Sequence, residues 1–199
     1  MNLELLQKNL EAKGFTYRYF DTAQQAADYL CGSIQGKTVG IGGSMTIQDM
    51  GLYHRLKEHN DVAWHWEVPG PETLAQAAAA QVYLSSVNAI AETGELINID
   101  GTGNRIAATL YDREKVVLIA GVNKIAPDYD QALWRARNIA APRNARRLNR
   151  QTPCARKEDM KCYDCKSPER ICNGLTVLWH KMGGVKECEV VIIGQELGY

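Results

Sequence analysis

Short apolar runs alternate with amphipathic stretches along most of this chain. Apolar residues at helical spacing, such as Leu3, Leu6 and Leu10, predict helices with one buried face. The continuous apolar runs KVVLIAG and CEVVIIG predict strands that are buried on both faces of a parallel sheet. Because helices and strands alternate throughout, the pattern predicts an α/β fold whose mainly parallel sheet carries helices on both faces.

Glycine, proline and capping residues set the predicted ends of these elements. A capping-box pattern at Thr46 begins one helix, and Pro142 divides another into two pieces. The predicted strands are residues 15–20, 37–43, 62–68, 87–92, 95–100, 115–121 and 188–194. The predicted helices are residues 1–13, 22–30, 46–58, 69–84, 127–148 and 169–181, with a short helical turn at 106–111.

Composition restricts the class of protein further. With 199 residues, of which 45% are hydrophobic, the chain can form one domain with a proper core. Its 23 basic and 23 acidic side chains cancel, so the whole protein has no preference for nucleic acid or an anionic membrane. The first residues lack the basic and long apolar regions of a signal peptide, and no apolar run is long enough for a membrane span. We therefore expect a cytoplasmic, reducing location, where clustered thiols bind metal more often than they form disulfides.

Four cysteines are clustered near the C-terminus in the pattern C-x7-C-x2-C-x6-C. Four thiolates can complete a tetrahedral zinc site or bind the irons of a [4Fe–4S] cluster. The spacing matches neither a common zinc finger nor a ferredoxin run, so both metals stay open, as do unbound thiols and local disulfides. We expect residues 150–175 to form a metal-binding loop within a single domain of residues 1–199. Its ligands would be Cys154, Cys162, Cys165 and Cys172.

The predicted strand 37–43 runs into a glycine-rich loop, residues 40–46. Ligands of open α/β sheets bind at the carboxyl ends of strands, where glycines let the backbone come close to an anion. The alternative is a turn in which Thr46 only caps the next helix. The residues expected to bind ligand in this loop are Gly42, Gly43, Ser44 and Thr46.

Two further loops place charged side chains after predicted strands. Glu92 could act as a nucleophile or general base, or it could be a turn carboxylate that accepts local amide hydrogen bonds. Lys124 could pair with a phosphate or carboxylate ligand, or it could be solvated. The neighbouring residues expected to bind substrate are Thr93, Gly94, Gly103, Asn104, Arg105 and Asn123.

A basic tract runs from Gln131 to Lys157, with seven arginines, one lysine and no acidic residue. Four of the arginines have the spacing of one helical stripe. Such a stripe could bind a polyanion, an acidic partner or a substrate phosphate, although it is more often a solvated face. No aromatic residues interleave with it, which disfavours nucleic acid. The four are Arg143, Arg146, Arg147 and Arg150.

Several motifs resemble the lactate-utilisation (LUD) domain family. They are VGIGGSMTIQDMG, AETGELINIDGTGNRIA, VLIAGVNKI and the tail TPC…CYDC…RIC. The resemblance implies a superfold shared with ribose-phosphate isomerase, glucosamine-6-phosphate deaminase and the CoA transferases. Some members belong to an iron–sulfur system that oxidises L-lactate to pyruvate, so other subunits of a redox complex are the implied partners. CoA transferases of this superfold use a glutamate before a glycine as their acyl nucleophile; Glu92 is similar in placement, with Thr93 intervening.

Three hypotheses follow. The leading one is a protein that binds a small anionic metabolite and supports lactate or organic-acid utilisation, with one [4Fe–4S] cluster or, alternatively, Zn²⁺. The second is a free-standing CoA-transferase-like or isomerase-like enzyme in which Glu92 acts. The third is a non-catalytic assembly or regulatory module. A metal ion would stabilise its cysteine-rich loop, and its arginine stripe would bind an acidic partner.

Overall fold

The computed structural model describes residues 1–199, which form ten strands and nine α-helices. The strands are β1 (Thr16–Phe20), β2 (Thr38–Ile41), β3 (Asp61–Trp64), β4 (Val82–Ser85), β5 (Ala89–Ala91), β6 (Leu96–Asp100), β7 (Arg113–Gly121), β8 (Ile125–Ala126), β9 (Gly174–Leu178) and β10 (Val185–Ile193). The helices are α1 (Leu3–Ala12), α2 (Ala23–Ser33), α3 (Met45–Asp49), α4 (Leu52–Lys57), α5 (Pro71–Ala79), α6 (Asn104–Leu110), α7 (Tyr129–Arg135), α8 (Ala141–Arg147) and α9 (Pro153–Arg156). A 3₁₀ turn covers Val122–Lys124, and a π-helical segment covers Ala136–Ala140.

The strands form two sheets. The larger sheet has six strands in the order β1-β10-β7-β4-β2-β3, and all of its neighbouring pairs are parallel. The smaller sheet has the order β8-β5-β6-β9 and is mixed, because β6 runs antiparallel to both of its neighbours. The predicted α/β class with a mainly parallel sheet is confirmed.

The central strands β7 and β10 are buried on both faces. In β7, Val117 and Ile119 point to one side of the sheet, while Val116 and Leu118 point to the other. None of these four side chains is exposed to solvent. This two-sided burial explains why both strands read as continuous apolar runs rather than as alternating ones.

The two faces of the large sheet are covered differently. Helices α2, α3 and α4 pack on one face. On the other face lie α1 and residues of the small sheet, including Ile90, Leu96 and Leu178. Helix α7 then packs small residues such as Ala132 on the outer side of the small sheet. The second face is therefore covered by a helix and a sheet, where the sequence pattern predicted helices alone.

Three predicted elements differ from the structure. The predicted strand 62–68 ends at Trp64, where a turn begins. The predicted helix 69–84 ends at Ala79, and its last residues form β4, which is buried between β2 and β7. The segment 169–181 contains the edge strand β9 instead of a helix, because its β-branched residues pair with β6.

Two helix boundaries also differ. Ser44, not Thr46, is the N-cap of α3, since its hydroxyl accepts the Ile47 amide at 3.2 Å. Gly51, with φ of +63°, then separates α3 from α4. Pro142 does not divide the long helix: helical backbone continues from α7 to α8. The π-helical segment immediately before Pro142 changes the hydrogen-bond register where proline supplies no amide.

No helix of the structure combines the length and the apolar character that a membrane span requires.

An ion-pair cluster lies within the large sheet. Glu189 of β10 is fully buried, and its carboxylate lies 2.8 Å from Lys115 Nζ of β7. The hydroxyl of Tyr29 donates a hydrogen bond to the same carboxylate at 2.7 Å, and the more exposed Arg18 lies 3.6 Å away. A buried carboxylate needs such partners, because desolvation of an unpaired charge is costly.

We predict that Lys115→Met destabilises the fold by about 3 kcal/mol, since it removes the closest cation from a buried carboxylate. The double variant Lys115→Met/Glu189→Gln should recover much of this loss because no buried charge is left alone. Urea unfolding of the two variants and the wild type measures the difference. A double variant that is less stable than the single one would contradict this account.

Candidate functional site

A cavity of about 220 Å³ lies at the carboxyl ends of β2, β4, β6 and β7. Loops after these strands supply its floor, and the end of α8 supplies one wall. Its polar lining residues are Ser44, His65, Ser86, Asn88, Asp100, Thr102, Asn104, Arg105, Lys124, Asn144, Arg147, Arg150 and Tyr199. This edge of a parallel sheet is where ligands of open α/β folds bind.

The glycine-rich loop after β2 comes close to the neighbouring chain because it has no side chains there. A Cβ on Gly42 would lie 2.9 Å from the Tyr83 hydroxyl and 3.2 Å from the Ser85 hydroxyl. A Cβ on Gly43 would lie 3.1 Å from the Trp66 ring. The glycines therefore bring the loop against β4 and Trp66, and Gly43 reaches the cavity surface.

Lys124 is the most deeply buried cation of the cavity. Its side chain follows β7 in the 3₁₀ turn, and the residue is only 4% exposed. Its Nζ donates hydrogen bonds to the hydroxyls of Thr46 at 3.0 Å and Ser86 at 2.9 Å, and it forms no ion pair. Burial, with smaller contributions from Arg135 and Arg105, lowers the pKa of Lys124 to about 7.

Arg105 lies beneath the cavity and is held by several acceptors. Its guanidinium donates to the carbonyl oxygens of Ser86 at 3.1 Å and Ile99 at 2.6 Å. Its Nε lies 3.4 Å from one oxygen of Asp100. The other oxygen of Asp100 accepts the amides of Thr102 and Gly103, whereas the oxygen facing Arg105 has no hydrogen-bond partner.

Two exposed arginines stand at the mouth of the cavity. The Arg147 guanidinium lies 4.8 Å from the centre of the Trp66 ring, a cation–π contact that fixes its position. Arg150 follows the end of α8, after the left-handed residue Asn149 with φ of +52°. With Arg105 they bring three permanent positive charges to the cavity, and Lys124 adds a fourth when it is protonated. Asp100 contributes the one acidic side chain of the lining.

The predicted arginine stripe is not a single helical face. Arg150 lies beyond the helix, and Arg147 faces the cavity with it. Arg146 instead donates hydrogen bonds to the carbonyl oxygens of Ala155 at 3.1 Å and Lys157 at 2.8 Å, which ties the cysteine-rich loop to α8. The spacing predicts one continuous helical face, but α8 ends at Arg147 and Arg150 lies beyond it.

The predicted ligand-binding residues divide into three groups. Those that line the cavity are Gly43, Ser44, Asn104, Arg105 and Lys124. Three more support it: Gly42 packs behind it, Thr46 accepts from Lys124, and Gly103 donates its amide to Asp100.

The remaining predicted residues lie outside the cavity lining. Glu92 accepts a hydrogen bond from the Asn2 amide at 2.7 Å, at the start of α1. A Cβ on Gly94 would lie 2.8 Å from the Lys13 side chain, so the turn at Glu92, Thr93 and Gly94 packs against α1. Asn123 accepts the Leu197 amide at 3.2 Å.

Several cavity residues were missed in the sequence. Ser86 and Asn88 follow β4. The alanine-rich sequence before β4 favours a helix, so the pattern predicts that the helix continues through the residues of this strand. Asp100 is the last residue of β6 and directly precedes the glycine-rich stretch, so its position at the end of a strand was a readable signal. The contact of Trp66 with Arg147 joins residues that are far apart in the chain, so no local sequence pattern predicts it.

The four clustered cysteines line one second cavity, between α8 and the cysteine-rich loop. Two donors approach Cys162 Sγ: the Asp164 amide at 3.4 Å and the Arg137 guanidinium at 3.7 Å. Asp164 adopts φ of +46°, which bends the chain tightly between Cys162 and Cys165. No three histidine, cysteine or acidic side chains lie close enough together to hold a single metal ion.

Arg170 holds the last part of this loop. It donates hydrogen bonds to the carbonyl oxygens of Cys165 at 2.8 Å and Cys172 at 3.0 Å. Burial raises the pKa of the Cys172 thiol, and the nearby Arg170 opposes that change. The thiol cavity thus contains two arginines that can offset the charge of thiolates.

Fold and cavity together define an α/β protein with a cation-lined site at the carboxyl ends of a parallel sheet. The chain belongs to the LUD domain family, whose model matches residues 3–193. A DUF162 family protein from Deinococcus radiodurans has a similar crystal structure, with a TM-score of 0.58, 15% sequence identity and 96% of each chain covered. At this identity the likeness shows a shared fold. A comparison with curated proteins gives no match.

We predict that Lys124→Met changes how stability depends on pH. The pKa of Lys124 is lowered from 10.5 to about 7 in the folded protein. Between these values the unfolded chain binds the additional proton, so the wild-type free energy of unfolding gains up to about 1.4 kcal/mol per pH unit as pH rises. The variant lacks this gain.

Urea unfolding of both proteins from pH 7 to pH 10 provides the test. The stability of the variant relative to wild type should be highest near pH 7 and should fall steadily toward pH 10. A difference that stays constant over this range would show that Lys124 is charged in the folded protein throughout.

Proposed function

We propose that the protein binds a small carboxylate or phosphate metabolite in the cation-lined cavity and holds one [4Fe–4S] cluster on its cysteine-rich loop. In this role it supports the oxidation of lactate or a related organic acid. The observation that carries the proposal is the convergence of three arginines and Lys124 on one cavity of about 220 Å³.

The charge balance of the cavity favours an anionic ligand. Lys124 has only hydroxyl partners, and Arg147 and Arg150 reach the mouth without an ion pair to a carboxylate. Arg105 is balanced in part by Asp100. A carboxylate or phosphate would supply the missing negative charge and could accept hydrogen bonds from guanidinium groups.

Coordination chemistry is the basis for proposing a cluster rather than a single zinc ion. Four thiolates at about 2.3 Å from one zinc ion must lie about 4 Å from one another. The four cysteines share one cavity, yet no three metal-binding side chains come together at such spacing. In a [4Fe–4S] cluster each thiolate binds a different iron, so the four sulfur atoms need not converge on one point. Amide and arginine donors near Cys162 also fit, because hydrogen bonds to sulfur tune such clusters.

The two cavities are adjacent. Ala141 and Ile171 line both of them, so a single layer of side chains separates the anion site from the thiols. A cluster supplies one-electron transfer at this position. Oxidation of a hydroxy acid releases two electrons, so the proposal also requires a partner that accepts them, such as another subunit of a redox complex.

The contacts give less support to the other two hypotheses. Glu92 is bound to the start of α1 and does not line the anion cavity, so no observation favours it as a nucleophile. The arginine stripe of the assembly hypothesis is divided among the cavity mouth, the cysteine-rich loop and solvent.

We predict that protein purified without oxygen contains about four irons and four acid-labile sulfides per chain and has a brown colour that dithionite bleaches. Cys162→Ser and Cys172→Ser should lose most of the iron, because each removes one ligand. Cys31→Ser is the matched control, since Cys31 lies outside the thiol cavity. One zinc per chain with no sulfide would show that the loop holds a structural zinc ion and would reject the cluster. Absence of any metal would reject both the cluster and the zinc site.

We predict that Arg147→Met and Arg150→Met each weaken the binding of inorganic phosphate and pyruvate about tenfold or more, because each removes a cation that can donate to the anion. Arg143→Met is the matched control, since Arg143 is exposed on α8 and does not line the cavity. Isothermal titration calorimetry measures the three affinities. Equal binding by all three variants and wild type would contradict an anion site here.

A further inference from the structure

We infer that Lys124 is a nucleophile that forms an imine with the carbonyl group of an oxo acid bound in the cavity. The inference rests on the proposed function and narrows it. The ligand class becomes an anion that carries a ketone or aldehyde, such as a 2-oxo carboxylate, in preference to the corresponding hydroxy acid.

The first argument is the surroundings of the amine. Lys124 lines the cavity, and the hydrogen bonds of its Nζ go to the neutral hydroxyls of Thr46 and Ser86. A structural buried lysine is usually paired with a carboxylate, as Lys115 is with Glu189 at 2.8 Å in this same protein. Lys124 has no such partner, and that leaves its nitrogen available for a ligand.

The charged groups around Lys124 disfavour its protonated form. Arg105 of α6 and Arg135 of α7 oppose a second positive charge, and only Asp49 of α3 acts in the other direction. Burial is the largest of these effects, and the pKa of Lys124 falls to about 7. Near neutral pH a large share of the amine is therefore unprotonated, which is the state of a reactive lysine.

The cavity also has separate groups for binding the carboxylate of an oxo acid and for attacking its carbonyl carbon. Arg147 and Arg150 at the mouth can hold the carboxylate, while Lys124 lies at the buried end with the hydroxyls. An oxo acid that is held by its carboxylate at the mouth would then have its carbonyl in the same cavity as the amine. A hydroxy acid could bind through the same carboxylate, but it has no carbonyl carbon for the amine to attack.

The reaction is balanced without a further reagent. The lone pair of Nζ attacks the carbonyl carbon, a C–N bond forms, and the former carbonyl oxygen takes up a proton to give a carbinolamine. That proton comes from the attacking nitrogen, which keeps one proton in the carbinolamine. A second proton then reaches the carbinolamine hydroxyl, the C–O bond breaks with loss of one water molecule as the C=N bond forms, and the nitrogen releases its remaining proton to give the imine. Ser86 and Thr46 are placed to pass these protons, since both hydroxyls lie within 3.0 Å of Nζ.

Reductive trapping tests the inference. The full-length protein is incubated with pyruvate and sodium cyanoborohydride, which delivers hydride to an imine carbon and makes the adduct permanent. Peptide mass spectrometry should place the adduct on Lys124, at least tenfold above any other lysine. Lactate should give no adduct. Pyruvate attachment spread evenly over surface lysines would overturn the inference.

Two controls keep the result interpretable. Lys124→Arg should abolish the specific adduct, whereas Lys115→Arg should leave it, because Lys115 is partly buried but paired with carboxylates. The rate of trapping in the wild type should rise through about pH 7. A rise only near pH 10 would overturn the inference even if Lys124→Arg fails to fold.

Calorimetry with phosphate separates this inference from the proposed function. Binding that depends on Arg147 and Arg150, without any adduct on Lys124, would reject the imine and leave the anion site standing. Absence of both would reject the two together.

Discussion

Burial of β7 and β10 on both faces is the constraint on which the rest of this structure depends. Their side chains alternate between two separate cores, so neither face of the large sheet can be left to solvent. Parallel neighbours then place all six carboxyl ends at one edge, and the connecting loops must meet there. The cavity is a consequence of that topology: Gly43, Ser86 and Lys124 are distant in the chain but follow three strands of one sheet.

The same edge concentrates positive charge that the protein does not neutralise by itself. Arg105 is satisfied by carbonyl oxygens, by Asn98 and by Asp100, which accounts for its burial. Lys124 is satisfied only in its hydrogen bonds, because hydroxyls carry no countercharge. Burial of these charged groups costs folding free energy, and their countercharge must come from a ligand. Such an arrangement is typical of functional sites rather than of structural packing.

The sequence was most informative where a pattern has one physical meaning. Apolar runs predicted the buried strands, and glycines after β2 predicted a loop at the site. It was misleading where tertiary pairing decides, as in β9, whose partner β6 lies more than seventy residues earlier. Glu92 shows the same limit at the site: its position after a strand resembles that of a catalytic carboxylate, but the strand belongs to the smaller sheet and its end meets α1.

The helix from α7 to α8 connects the two candidate sites physically. Its π-helical segment presents Arg137 toward Cys162, and Asn138 accepts the Cys162 amide at 3.1 Å. One turn further on, Ala141 lines both cavities, and the end of the helix carries Arg146 toward the cysteine-rich loop and Arg147 toward the anion cavity. One continuous helical element therefore supplies side chains to both sites, and it passes through its π-helical segment and Pro142 without ending. The two sites share this element because its residues contact the thiol loop on one side and the anion cavity on the other.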